Sequence, residues 1–429
     1  MYDKDEQPLG RIILHIDFDS FFASVEQQFN PVFRGKPLGV TATNGRTCII
    51  AASREAKRFG VKTAMNVYKA ETLCPDLLLT SADFVKYWEV SKKFINICKD
   101  FSPFVEVFSI DELFMDITKT AHLFGGAYGL IDKLKKRIEL EIGPYITVSV
   151  GVSHNKLLAK LGSGLKKPNG IVTITKRNLA TVYEHAELTD ICGIGNQICK
   201  RLNRMGVYTL PKLSLTTRSS LIAEFGPVEG NFLWNVGQGI DYSEVNPYTE
   251  AEPAKSIGRQ YCLPENEYDE RIILQNVYEL CEELGIKLRR IKMKARHMGL
   301  SLGGAQYISV HKTFSSYFDT GKEIYDIGYR LLSHPSSGFR SLPEDIRYVR
   351  RIGVYVSFLT PSSAIPMDLF SDVVRKNKIT QIVDTINDRF GDHTIRNGFL
   401  LDSDKLTTVP NGFGPDAYER QKLMRLGLE

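Results

Sequence analysis

A chain of 429 residues, 43% hydrophobic and 24% charged, is too long for one ordinary core and too apolar for a disordered or fibrous protein, so several folded domains are expected. The net charge of +5 permits nucleic-acid binding without demanding it. Seven scattered cysteines with no C-x-x-C pair argue for a reducing compartment and against a zinc site.

The first apolar run, residues 11–18, reads as a buried strand that ends in acids, RIILHIDFD. Residues 20–29 are patterned as a helix. Short strands at 37–41 and 47–51, around Asn44-Gly45, and a short helix at 55–59 make a small insertion. A helix is expected over 83–101 from the apolar spacing of Phe84, Tyr87, Trp88, Phe94, Ile95 and Cys98. Strands at 105–108 and 113–117 then flank the turn Ser109-Ile110-Asp111-Glu112, and a helix at 130–142, a strand at 145–152 and a helix at 155–165 follow.

With the insertion set aside, the order is β-α-β-β-α-β, the ferredoxin-like arrangement of an antiparallel sheet with helices on one face. Its central strands are neighbours, so Asp17 and the Asp111-Glu112 turn can meet across about 95 residues of sequence. A helical region at 176–245 has Gly-centred turns at 193–195 and 237–239. Residues 246–255, with Pro247 and Pro253, read as a linker. A second β-α-β-β-α-β set runs from Ser256 to Phe358, and a tail with one helix at 378–390 ends the chain.

Asp17, Asp111 and Glu112, with Asp19 and Asp116 nearby, form a cluster of oxygen donors of the kind Mg²⁺ prefers. Two such ions can activate an attacking hydroxyl and stabilise a leaving pyrophosphate, which is nucleotidyl transfer. Acids at strand ends can equally be solvated surface groups.

Five blocks in order give the cluster a context: Ile16-Asp17-Phe18-Asp19-Ser20-Phe21-Phe22-Ala23-Ser24-Val25-Glu26, Phe108-Ser109-Ile110-Asp111-Glu112, Val150-Gly151-Val152-Ser153-His154-Asn155-Lys156, Lys167-Pro168-Asn169-Gly170 and Lys255-Ser256-Ile257-Gly258. Together they resemble the signatures of Y-family DNA polymerases, the DinB/UmuC-like group, over residues 11–358. The resemblance implies an α+β, right-hand polymerase fold. A ferredoxin-like palm would take residues 1–20 and 83–175, small fingers 21–82, a helical thumb with a helix-hairpin-helix 176–245, a linker 246–255, an α+β little finger 256–359 and a tail 360–429.

It also implies a translesion DNA polymerase of low fidelity that holds two Mg²⁺ ions through Asp17, Asp111, Glu112 and the Phe18 carbonyl. Phe22 matches the steric gate that rejects a 2′-hydroxyl. Lys167 matches the lysine that contacts the triphosphate, and Cys48 and Ile50 match positions over the templating base. Arg54 and Lys57 depart from the family's Tyr and Arg; both remain cationic, but Lys lacks the fork geometry of Arg.

Leu188, Ile191, Gly193-Ile194-Gly195, Ile198 and Leu202 resemble a helix-hairpin-helix, whose amides can bind a DNA phosphate without reading sequence. The basic run 287–296, with Arg347, Arg350 and Arg351, suits duplex phosphates, although part of it also suits a helix C-terminus. Pro366-Met367-Asp368-Leu369-Phe370 resembles a sliding-clamp-binding peptide without its leading Gln. The expected partners are therefore primer-template DNA, deoxynucleoside triphosphates and a sliding clamp. No run approaches the ~18 apolar residues of a membrane span and the N-terminus has no signal pattern, so a place in the cytoplasm, at the nucleoid, is expected; the chain is expected to act as a monomer. Two other readings are a DNA-binding accessory factor with a decayed palm, which the three retained acids oppose, and a nucleotide cyclase, which would leave the helical module and basic domain without purpose.

Overall fold

A computed structural model describes residues 10–42, 48–247, 254–333, 347–365, 373–391 and 394–401. The residues of the clamp-like peptide, Met367, Asp368, Leu369 and Phe370, lie outside this set. The described chain divides into two compact units, residues 10–247 and 254–401.

The first unit is built on a five-stranded sheet in the order β5-β6-β1-β7-β8. Its strands are β1 (Ile13–Phe18), β5 (Val105–Val107), β6 (Glu112–Asp116), β7 (Val148–Ser153) and β8 (Ile171–Thr173). β1 is central and runs antiparallel to both β6 and β7, as the β-α-β-β-α-β reading requires. Its alternation sets the two faces of the sheet. Leu14, Ile16 and Phe18 join a large core with α4 (Phe84–Lys99) and α5 (Gly126–Glu141). Each fully buried aliphatic side chain there contributes roughly 1.5–3 kcal/mol. Ile13, His15 and Asp17 point the other way, where Ile13 packs with Ala159 of α6 (Lys156–Leu165).

α6 can approach the sheet because β7 carries Gly151. A Cβ at that position would lie 1.9 Å from the Ala159 carbonyl oxygen and 2.5 Å from the Ser163 amide nitrogen. Asn155 starts α6: its side chain accepts from Leu158 N–H at 2.9 Å and donates to the Gly239 carbonyl at 2.9 Å. The Val-Gly-Val-Ser-His-Asn-Lys block is thus largely a device for seating one helix. Leu158 and Leu161 of α6 share a further core with the helical region, which consists of α7 (Leu179–His185), α8 (Asn196–Arg204), α9 (Leu210–Ser214), α10 (Arg218–Phe225) and α11 (Pro227–Gly237).

Between β1 and α4 lie α1 (Phe21–Phe29), β2 (Leu38–Thr41), β3 (Ile49–Ala52), α2 (Arg54–Arg58), α3 (Val67–Leu73) and β4 (Leu78–Ser81). β2 pairs antiparallel with β3 and parallel with β4. α3 and β4 were not expected from the sequence. The buried Glu26 of α1 accepts from Tyr87 Oη at 2.7 Å and Lys86 Nζ at 2.9 Å, which fastens α1 to α4.

The second unit has a four-stranded antiparallel sheet in the order β11-β10-β12-β9. These strands are β9 (Ser256–Glu267), β10 (Met293–Gly304), β11 (Tyr307–Phe318) and β12 (Val349–Ser357), and a two-residue β13 (Thr360–Pro361) pairs with β10. α12 (Glu270–Arg290) and α13 (Gly321–Leu332) supply the apolar side of its core. Thr320 and Glu323 cap α13 reciprocally. The tail helix, α14 (Val373–Phe390), is held to α12 by a bidentate pair between Arg289 and Asp384, with N–O distances of 2.6 and 2.7 Å. All seven cysteines are free; Cys48 and Cys192 are exposed, and Cys74, Cys98 and Cys281 are buried.

Candidate functional site

Asp17 and Glu112 occupy directly paired positions on β1 and β6. Glu112 is the first residue of β6 rather than part of the preceding turn. Among the described residues, ligand atoms of His15, Asp17 and Glu112 lie within 4.8 Å of one another. Asp111 is brought alongside through its backbone, its carbonyl accepting from Phe18 N–H at 3.0 Å, while its carboxylate accepts from Ser109 Oγ at 2.5 Å. Asp116 does not belong to the group. It sits at the opposite end of β6, paired with Ile13, and accepts from Thr118.

Burial pushes the Asp17 carboxyl up to about 6, against the pull of a direct ion pair with Lys167 and with help from Asp111 and Glu112. Burial likewise raises Asp111, the Ser109 hydrogen bond opposing and Glu112 assisting. Glu112 goes the other way. Burial works against its charge, but contacts from His15 and Lys160 outweigh it and hold the carboxyl at about 2.

His15 is fully buried, with Nδ1 2.7 Å from Ser163 Oγ and Nε2 3.0 Å from Glu112 Oε2, the latter contact close but poorly aligned for a hydrogen bond. Burial lowers its pKa to about 4, the Glu112 contact opposing, so the ring is neutral at pH 7. The set is therefore three crowded carboxylates faced by two lysines and a neutral imidazole. Such hard oxygen donors, two of them with charges destabilised by burial and by their acidic neighbours, fit a hard divalent cation.

Of the other residues singled out from the sequence, Lys57 and Arg54 border this group through Ser20, Asp17 and Asp19. Lys57 Nζ donates to Ser20 Oγ at 2.8 Å, and burial and then the like charge of Lys167 lower its pKa. Arg54 donates to Thr147 Oγ1 and lies 3.9 Å from Asp19. Asp19 is only 2% exposed and accepts from Thr147 Oγ1 (2.6 Å), Ser149 Oγ (2.7 Å) and Asn169 N–H (2.7 Å). The Phe22 ring is 7% exposed and stacks on Tyr87, ring centres 4.4 Å apart. Cys48 directly precedes β3, and Ile50 is the second residue of that strand.

Residues 16–164 match the impB/mucB/samB family, residues 254–369 match that family's C-terminal domain, and residues 189–241 match the thumb domain of DNA polymerase iota. The chain is 34% identical over 387 residues to the DNA polymerase IV of Pelotomaculum thermopropionicum, spanning 89% of this chain and 94% of that protein. It belongs to the Y family of DNA polymerases. Another relative is the DNA polymerase IV 2 of Bacillus subtilis, 30% identical over 396 residues, or 90% of this chain and 93% of that one. A solved Y-family DNA polymerase chimera, Dbh-Dpo4(243-245)-Dbh, superposes with a TM-score of 0.68 at 28% identity, covering 81% of this chain and 99% of the other. This Y-family member is thus a DNA-directed DNA polymerase of the translesion class, with the expected α+β right-hand fold.

In this polymerase, the turn Cys192-Gly193-Ile194-Gly195 leads directly into α8, as a helix-hairpin-helix requires. Gly193 has φ +103°, and a Cβ there would lie 2.6 Å from the Phe232 ring, so the position needs glycine twice over. Within the basic run 287–296, three cations have partners inside the second unit. Arg289 is paired with Asp384, Arg290 with Asp388 (2.8 Å) and Lys294 with Asp319 (3.1 Å), so these cations serve the packing of the second unit. Arg351 instead stands over the Tyr307 ring, 6.0 Å from its centre.

Sequence reasoning missed His15, Lys160 and Lys135. Two of them carried a signal: His15 is two residues from Asp17 on the same strand face, and Lys156 and Lys160 are one turn apart on a helix that must cover that face. Lys156 pairs with Glu106 at 2.7 Å.

Proposed function

We propose that this polymerase extends a primer by two-metal nucleotidyl transfer at the Asp17, Asp111 and Glu112 cluster, with a loose, low-fidelity site that tolerates damaged templates. The observation that carries the reading is the registered pairing of Asp17 with Glu112, surrounded by Lys57, Lys160 and Lys167. The three carboxylates and the Phe18 carbonyl would hold Mg²⁺, and such ions, when bound, activate the attacking hydroxyl and offset charge on the leaving pyrophosphate.

The chain's own groups do the rest. Lys167, a flexible point charge now resting on Asp17, turns to the triphosphate when the carboxylates are otherwise engaged. Arg54 and Lys57 add cationic contacts from α2. Phe22, rigid through its stack on Tyr87, presents an edge to the incoming sugar and disfavours a 2′-hydroxyl. Amides at the start of α8 take a duplex phosphate without reading sequence.

We assign residues 1–20 and 83–175 to the palm, 21–82 to the fingers, 176–245 to the thumb, 246–255 to the linker and 256–359 to the little finger. In the tail, Leu369 and Phe370 would dock on a sliding clamp. A clamp pull-down that retains the Leu369→Ala, Phe370→Ala chain as well as wild type removes that assignment.

The test of the whole is primer extension with Mg²⁺ and deoxynucleotides on undamaged and abasic templates. Wild type extends, and Asp111→Ala with Glu112→Ala binds primer-template but does not. Retained extension by the double variant would move the chemistry elsewhere.

A further inference from the structure

The turn that carries Lys167 is gripped at two points, by Lys135 and by Asp19. Lys135, on α5, places Nζ 2.8 Å from the Asn169 carbonyl oxygen, 2.9 Å from Asn169 Oδ1 and 3.3 Å from the Gly170 carbonyl oxygen. An ammonium has three donors, and all three find acceptors on this one turn. At the donor side, Asn169 N–H is taken by Asp19 Oδ2 at 2.7 Å, and Asp19 is itself fixed by Thr147 and Ser149. Asn169 has φ +57°, a left-handed conformation that a short polar side chain tolerates and that outside contacts must hold. At Gly170 a Cβ would lie 1.7 Å from the Lys166 carbonyl oxygen, so the turn is closed tightly on itself.

We propose that Lys135, acting with Asp19, is a positioning residue for Lys167: by holding the 169–170 peptides it fixes where the Lys167 ammonium stands relative to the incoming triphosphate. This rests on the reading of Lys167 given above. Lys135 does not touch substrate; it removes freedom from the backbone that delivers Lys167, so less order has to be imposed when the nucleotide arrives.

The test uses the full chain in single-nucleotide incorporation, with Lys135→Met, Lys135→Arg, Lys167→Met and the Lys135→Met, Lys167→Met double variant, beside hydrogen exchange at the Asn169 amide. Losing charge-assisted bonds of this kind, Lys135→Met is expected to raise the nucleotide KM roughly tenfold with a much smaller change in kcat. Lys135→Arg restores most of it, and the double variant is no worse than Lys167→Met alone because both act through one ammonium. Exchange at Asn169 accelerates in Lys135→Met while amides of the β1 core do not change.

If Lys167→Met leaves KM unchanged while Lys135→Met still frees the Asn169 amide, the triphosphate role of Lys167 falls and the grip on the turn stands. A raised KM in Lys167→Met with wild-type KM and exchange in Lys135→Met overturns the proposal, as do losses that simply add in the double variant. Should Lys135→Met melt early, Lys135→Arg decides: recovered stability without recovered KM also overturns it.

Discussion

Gly151 on β7 lies directly opposite His15 on β1, and the missing side chain of the one allows the hydrogen bond of the other. Because α6 descends onto Gly151, Ser163 reaches His15 Nδ1 and Lys160 reaches Glu112. Gly151→Ala would force backbone against backbone, with no flexible side chain to yield. Overpacking of this kind is expected to cost roughly 1–3 kcal/mol, read as a lower urea midpoint at unchanged m. Primer extension should fall further than stability, since the displaced helix carries Lys160. A Gly151→Ala chain as stable as wild type would show that α6 can lift without cost.

Phe22 serves two ends at once. Its buried stack on Tyr87 means that Phe22→Ala empties part of the core and is expected to lose about 3–5 kcal/mol. Phe22→Leu keeps most of the volume. It should retain a near-normal melting temperature while accepting ribonucleotides far more readily, measured as the ratio of kcat/KM for the two sugars. An unchanged ratio in Phe22→Leu would return this ring to a purely structural role.

Glu279, on the buried side of α12, has a carboxyl pushed up to about 7 by burial, opposed by Arg396 and reinforced by Glu283 and Glu282. In the unfolded chain it titrates near its ordinary value of 4.5. Folding therefore takes up a proton between these values, and stability declines as pH rises through that window. Glu279→Gln removes the slope: it should gain on the order of 1–3 kcal/mol over wild type at pH 8 and nothing at pH 4. Parallel stability curves for the two chains across pH 4–8 would rule this out.

Arg289 is committed to Asp384 by two hydrogen bonds. Asp384→Asn is expected to lower stability by roughly 1–3 kcal/mol, the usual worth of charge-assisted bonds. Arg289→Ala should do the same and leave the salt dependence of primer-template binding as it was. A slope smaller by about one would instead mark Arg289 as a phosphate contact.

Much of this was legible in advance, for identifiable reasons. The β-α-β-β-α-β order followed from short apolar runs along β1, β6 and β7, and Asp17 met Glu112 because neighbouring strands leave little choice. α3 and β4 escaped notice because they are short and half-exposed, so neither shows a clean period; in β4 only every second residue is even partly covered. Asp384 and Asp388 stand one turn apart on α14, yet nothing local said that Arg289 and Arg290 would be their partners. Lys135 was invisible for the same reason: its three acceptors belong to a turn more than thirty residues away.

The cysteines carry a practical consequence. Cys48, beside β3, and Cys192, on the turn before α8, are the two exposed thiols, and three others are sealed in cores. Maleimide dyes will therefore react first at one point beside β3 and one on the turn before α8, without any substitution. The native chain thus offers its own pair of labelling positions for single-molecule fluorescence, and the distance between them can be followed in unmutated protein.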